Sequence, residues 1–178
     1  MTLVVIGMLA CVLWVYLLAA RGGFWRGAQR DDAGVTTGEE GNAWPAVVAI
    51  VPARDEAAVI GDTLRSLLQQ DYRGSFGVIV VDDHSSDDTA ARVRETAAVA
   101  AGSGRVTVIA AASLPPDWSG KLWAVHCGIG YVQGLPAPPE YLLLTDADIR
   151  HADDALTNLV GRALRDRLVL TSLMAGLR

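Results

Sequence analysis

Cysteine is scarce in this 178-residue chain. Cys11 stands in an apolar leader and Cys127 in a predicted helix, so no disulfide framework is built from them, and both read as small apolar packing residues suited to a reducing compartment. An excess of positive charge is missing too. The chain has 15 Lys and Arg against 20 Asp and Glu, a net of -5, whereas a polyanion partner demands a basic surface, which excludes nucleic acid. Internal repeats are absent, and the one biased stretch, the alanines around 97–101, carries no chemistry. The length admits one domain of about 150 residues plus an appendage.

Charge of either sign is absent from residues 1–20. As a helix, TLVVIGMLACVLWVYLLAA would cover roughly 28 Å at about 1.5 Å per residue, close to a bilayer core. No basic residue precedes the run, as a cleaved signal peptide would require, so an uncleaved transmembrane anchor over 1–20 is expected. Arg21, Arg26 and Arg30, with Phe24 and Trp25 among them, form the basic and aromatic flank of a cytoplasmic membrane face. Residues 21–44 then read as that flank and a flexible polar linker, and 45–178 as a domain facing the cytoplasm.

Within the domain, strands and helices are predicted to alternate. AVVAIV at 46–51 is a short apolar run of the kind buried on both faces of a sheet, and it is followed by a helix over 57–70 with Ile60, Leu64, Leu67 and Leu68 on one side. Strands are predicted at 77–81, 105–110 and 141–145, with a further one at 168–173. Helices are predicted over 89–100, 121–133 and 154–165, with Ser86, Asp87 and Asp88 as candidate caps of the first and Leu122, Val125 and Ile129 on one side of the second. Such alternation implies an α/β fold with a mostly parallel sheet, helices on both faces and a ligand at the carboxyl ends of the strands.

Acids stand at those ends. Asp55 and Glu56 follow the first strand, Asp82 and Asp83 the second, Asp146 and Asp148 the fourth. Gathered carboxylates repel unless a cation or hydrogen-bond donors neutralise them, which points to a divalent metal or a donor-rich ligand. Any one of these acids taken alone reads as a turn or cap residue. The triplet Asp146-Ala147-Asp148 offers hard oxygen ligands suited to Mg2+ or Mn2+. The turn from Asp82 through Asp83 and His84 to Ser85 and Ser86 can meet a base imide and a ribose. Lys121, after Gly120, opens a helix whose free N–H groups suit a phosphate. His84 and His126 lack companions at metal spacing and read as turn and packing residues.

VPARDE (51–56), VVDDHSSDDT (80–89), GKLWA (120–124) and LLLTDAD (142–148) resemble family 2 glycosyltransferases in order and spacing. More narrowly, DWSGKLWAVHCG and YLLLTDADIRHADDALTNLV look like the hopene-associated glycosyltransferases of bacteria. The resemblance implies a GT-A fold with strand order 3-2-1-4 and a nucleoside-diphosphate sugar, UDP-linked, as donor. It implies that Asp146 and Asp148 bind Mg2+ or Mn2+. Pro52, Ala53, Arg54, Asp55, Glu56, Asp82, Asp83 and Ser85 are expected to line the nucleotide pocket, with Lys121 beside it. It implies a lipid acceptor, hopanoid by the narrower likeness, reached from the bacterial inner membrane. Sugar transfer is expected to invert the anomeric centre, with the catalytic base downstream of Arg178. The competing reading is a nucleotide-sugar-binding module without turnover. A haloacid-dehalogenase-type phosphatase needs its DxD after the first strand, and a receiver domain needs no second acidic triplet, so both fit poorly.

Overall fold

The computed structural model describes residues 2–20, 43–100 and 102–173, and the chain divides into two units, Met1–Gly34 and Val35–Arg178. In the first, α1 spans Thr2–Ala20, and its side chains Ile6, Leu9, Trp14 and Val15 are each more than half exposed. No helix among the described residues is long and apolar enough to cross a membrane, so the expected transmembrane anchor is not found. The predicted flank and linker fall almost wholly outside the described residues.

The second unit is an α/β sandwich built in the order β1 (Val47–Ala53), α2 (Ile60–Leu68), β2 (Phe76–Asp82), α3 (Thr89–Val99), β3 (Val106–Ala110), α4 (Gly120–Gln133), β4 (Tyr141–Leu144) and α5 (Ala155–Asp166). All strand pairs are parallel and the sheet order is β3-β2-β1-β4, as the resemblance implies. Reversal of order between β1 and β4 opens a crevice at their carboxyl ends.

β1 runs two residues further than the apolar pattern suggested and takes Pro52 into the strand. Its missing N–H costs nothing there. The Ile50 carbonyl accepts from the Thr145 N–H at 3.3 Å, so even-numbered residues of β1 turn their backbone groups toward β4. That strand has ended by the level of Pro52, its last register pair being Ile50 with Leu144.

Alternation along β1 and β2 feeds two cores. Val47, Ala49 and Val51, with Val78 and Val80, pack under α2, α3 and α5 through Leu64, Leu67, Val93, Leu156 and Val160. Ile50, Ile79 and Val81 pack under α4 alone, against Ala124 and Val132. The buried face of α4 is therefore Ala124, Gly128 and Val132, while the predicted Leu122 is 62% exposed. Small residues explain the choice: a Cβ on Gly128 would stand 2.6 Å from Ile50 Cγ2, so the helix lies closer to the sheet than a larger side chain permits.

The predicted fifth strand is absent from the described residues. Residues 168–173 form no ladder, and Val169 and Leu170 are 98% and 81% exposed; their apolar character had suggested burial that no neighbouring strand supplies.

Candidate functional site

At the carboxyl edge of the sheet, the loops after β1 and β2 are sewn together. Asp55 adopts φ 55° and His84 φ 56°, left-handed turns that Asp and His tolerate better than most residues. The Asp55 N–H donates to Ser85 Oγ at 3.1 Å, and Asp55 Oδ1 accepts from both the N–H (2.6 Å) and the hydroxyl (3.0 Å) of Ser86. Glu56 N–H donates to Thr89 Oγ1 at 2.9 Å and Ala57 N–H to Asp87 Oδ2 at 3.1 Å. The Thr89 hydroxyl and N–H in turn donate to Asp87 Oδ1. Asp87 thus bonds the first N–H of α3, whereas Asp88, at the N-cap position, makes no side-chain cap bond. These donors hold the carboxyls of Asp55 and Asp87 below the usual range, through Ser86 for the former and the Thr89 hydroxyl for the latter.

Beyond this seam lies an open cleft of about 430 Å³ lined by Pro52, Ala53, Arg54, Glu56, Asp83, Gly120, Lys121, Ala124, Asp146, Ala147 and Asp148. Eight of the eleven residues named from sequence meet here: Pro52, Ala53, Arg54, Glu56, Asp83, Lys121, Asp146 and Asp148. Asp55, Asp82 and Ser85 do not line it. Asp82 Oδ1 accepts the Ser85 N–H at 3.2 Å, closing the turn after β2, and Asp55 and Ser85 are spent on the seam.

Asp83 is buried, with its carboxylate 3.6 Å from the guanidinium of the exposed Arg54. Its backbone N–H donates to the Ala53 carbonyl at 2.8 Å, which fixes it as the continuation of β2 alongside β1. The N-terminus of α4 abuts it so closely that a Cβ on Gly120 would lie 2.6 Å from Asp83 Oδ2. Sequence reading passed over this glycine's packing role; its place at a helix start directly before the chain's single lysine was the available signal. Lys121 Nζ meets Asp146 Oδ1 at 2.8 Å, both side chains about half exposed. An ion pair so exposed is worth at most about 1 kcal/mol and is easily exchanged for a better partner.

The donor set bears on metal binding. No group of three or more His, Cys, Asp or Glu side chains placed to hold a metal occurs among the described residues. Asp146 and Asp148 fit a hard divalent cation that takes its remaining ligands from water and phosphate oxygens, the habit of Mg2+. Thr63, also passed over in the sequence, donates from the first turn of α2 to the carbonyl between these two acids.

An open parallel sheet whose acids and lone lysine converge beyond the strand ends defines an α/β protein with its ligand cleft at the carboxyl edge. The sequence profile of Glycosyl transferase family 2 matches residues 48–176, and the chain belongs to that family. The 4,4'-diaponeurosporenoate glycosyltransferase of Staphylococcus haemolyticus (strain JCSC1435) is 31% identical over 127 residues, 69% of this chain and 30% of that protein. Among solved structures, the mannosyltransferase PcManGT of Pyrobaculum calidifontis, in complex with GDP-Man and Mn2+, superposes with a TM-score of 0.60 at 26% identity, over 89% of this chain and 42% of that one. The glucosyl-3-phosphoglycerate synthase of M. tuberculosis shares the fold, with a TM-score of 0.51 at 22% identity over 67% of this chain and 40% of that one. The chain thus spans less than half the length of these relatives.

Proposed function

We propose that this chain carries the donor site of a glycosyltransferase that moves a sugar from a nucleoside diphosphate to a lipid. The observation that carries the reading is the convergence of Asp83, Lys121, Asp146 and Asp148 on one open cleft at the sheet edge. Lys121 and the free N–H groups at the start of α4 would receive the diphosphate, the lysine leaving Asp146 as the phosphate arrives. Asp83, held in place by the Ala53 carbonyl and Gly120, would accept from the base. Asp146 and Asp148 would hold Mg2+ or Mn2+, which when bound supplies charge stabilisation to the departing diphosphate. Support for the metal comes from the Mn2+ complex of the mannosyltransferase.

A UDP-linked donor is proposed, with GDP as the alternative that the GDP-Man complex raises. A lipid acceptor fits the relative named for diaponeurosporenoate, and the narrower sequence likeness favours a hopanoid. Such an acceptor places the reaction at a membrane surface, and the arginines at 21, 26 and 30 favour the cytoplasmic side of a bacterial inner membrane.

Calorimetry of the full chain with UDP and with GDP, in Mn2+ and in EDTA, tests the donor site. Binding that requires the metal and fails in Asp148→Ala is expected; equal binding in EDTA sinks the metal reading. Incubation with labelled donor and either lipid then separates transfer from donor binding without turnover.

A further inference from the structure

Helix α2 carries a polar stripe beside its apolar one. Thr63, Ser66 and Gln70 follow one another at i, i+3 and i+7, the spacing of neighbours on one helix side, and Gln70 stands just beyond the last turn. Thr63 and Ser66 are 1% and 6% exposed, depths at which a hydroxyl without a partner is costly. Each side chain finds its partner in the segment joining β4 to α5. Thr63 Oγ1 donates to the Ala147 carbonyl at 2.7 Å. Ser66 Oγ accepts the His151 N–H at 3.1 Å and donates to the Thr63 carbonyl at 2.8 Å. Gln70 donates from Nε2 to the Ala152 carbonyl at 2.7 Å and accepts the Leu156 N–H, at the start of α5, at 2.8 Å.

Two side chains of α2 and that of Gln70 just beyond it therefore fasten the backbone at 147, 151, 152 and 156. The uppermost of these bonds falls on the middle residue of the acidic triplet. Ala147 itself is buried in the core under α2, while Asp146 and Asp148 on either side line the cleft. A carbonyl fixed at that point sets the direction in which both flanking carboxylates leave the chain.

We infer that Thr63 is a positioning residue for the acidic triplet, with Ser66 and Gln70 anchoring the segment that follows it. The consequence for ligand binding rests on the proposed donor site; the fastening of the backbone does not. Thr63→Val keeps the shape of the side chain and removes the donor, and Thr63→Ser keeps the donor. In the full chain, Thr63→Val is expected to speed amide exchange across residues 145–151 by about tenfold while β1 and β2 amides keep their protection. UDP affinity in Mn2+ should fall by about tenfold as well, with Thr63→Ser close to the parent in both measurements.

Unchanged exchange at 145–151 in Thr63→Val overturns the inference. So does exchange that quickens equally in β1 and β2, which marks a general loss of stability. Should Thr63→Val fail to fold, Ser66→Ala, which frees the His151 N–H, carries the same two measurements with the same expected pattern. A parent chain that binds neither UDP nor GDP in Mn2+ defeats the proposed donor site, while the exchange pattern still decides the role of Thr63.

Discussion

Asp55 and Asp148 stand at the same edge of the same sheet, each just past a parallel strand and each exposed, yet they face different tasks. Around Asp55 the donors prevail over the nearby Asp87 carboxylate: the N–H and hydroxyl of Ser86 converge on one carboxylate oxygen, and Asp87 is in turn bonded by Thr89 and Ala57. Asp146 and Asp148 share the cleft with Glu56 and Asp83, and the exposed Lys121 pairs with Asp146. The first group is neutralised by its own backbone and has little left to offer a ligand. Charge compensation in the second is thin and exchangeable. The comparison teaches that acids at a ligand-binding edge divide by the donors around them, a property of loop geometry and not of residue type.

The largest expected effect sharpens this division on the cleft side. Asp148→Ala should weaken metal-dependent nucleotide binding by more than about tenfold, since a hard cation loses a charged oxygen ligand, while thermal unfolding stays close to the parent because the side chain is exposed. A loss of Tm with affinity intact would place Asp148 among the structural acids instead.

Gly120→Ala comes next. Its Cβ would press to 2.6 Å from Asp83 Oδ2, and either α4 or Asp83 has to shift, at about 1–3 kcal/mol. Calorimetry should show nucleotide affinity reduced by about tenfold, and chemical denaturation should show the stability loss; parent-like values in both would mean that the junction is looser than it stands.

On the seam side the pattern should invert. Asp55→Asn is expected to lower Tm by a few degrees and to leave nucleotide affinity within about twofold. Tight coupling of affinity to this change would show that the seam orients the cleft and would erase the contrast.

The smallest effect is in pH. Burial holds His151 below its ordinary 6.5, so the folded state resists its proton; its contribution is complete above pH 6.5 and declines as pH falls through the lower folded value. Asp55 and Asp87 are held below 3.8, so theirs persists to lower pH and declines only as pH falls through those depressed values. Tm followed against pH should therefore fall in two stages, and His151→Asn should remove the first alone.

Much of this was legible in the chain. Short apolar runs and a period of 3.6 located each strand and helix of the sheet domain to within a few residues, because burial of a strand or of a helix face is written in local sequence. Pro52, by contrast, looked like a strand end, since only the sheet reveals that β4 stops short of it. Leu122 looked buried on hydrophobicity, but the close approach allowed by Gly128 gave the inner face of α4 to smaller residues. At residues 168–173 a run of apolar side chains read as a strand although no ladder partner lies beside it. The expectation of a membrane-crossing helix rested on an uncharged run of bilayer length and its arginine and aromatic flank, and no described helix meets it.

Sequence by itself determined the parallel α/β sheet, its order through family likeness, and the gathering of acids at its carboxyl edge, because strand parity and loop position place those residues whatever their neighbours. Which acids face a ligand was decided only in three dimensions. Asp55 and Ser85 meet across 30 residues of chain, Thr63 and Ala147 across 84, and hydrogen-bond partners so distant in sequence have no local signature: they exist once the two loops and the helix have packed, and their presence or absence is what leaves a carboxylate satisfied or free to bind.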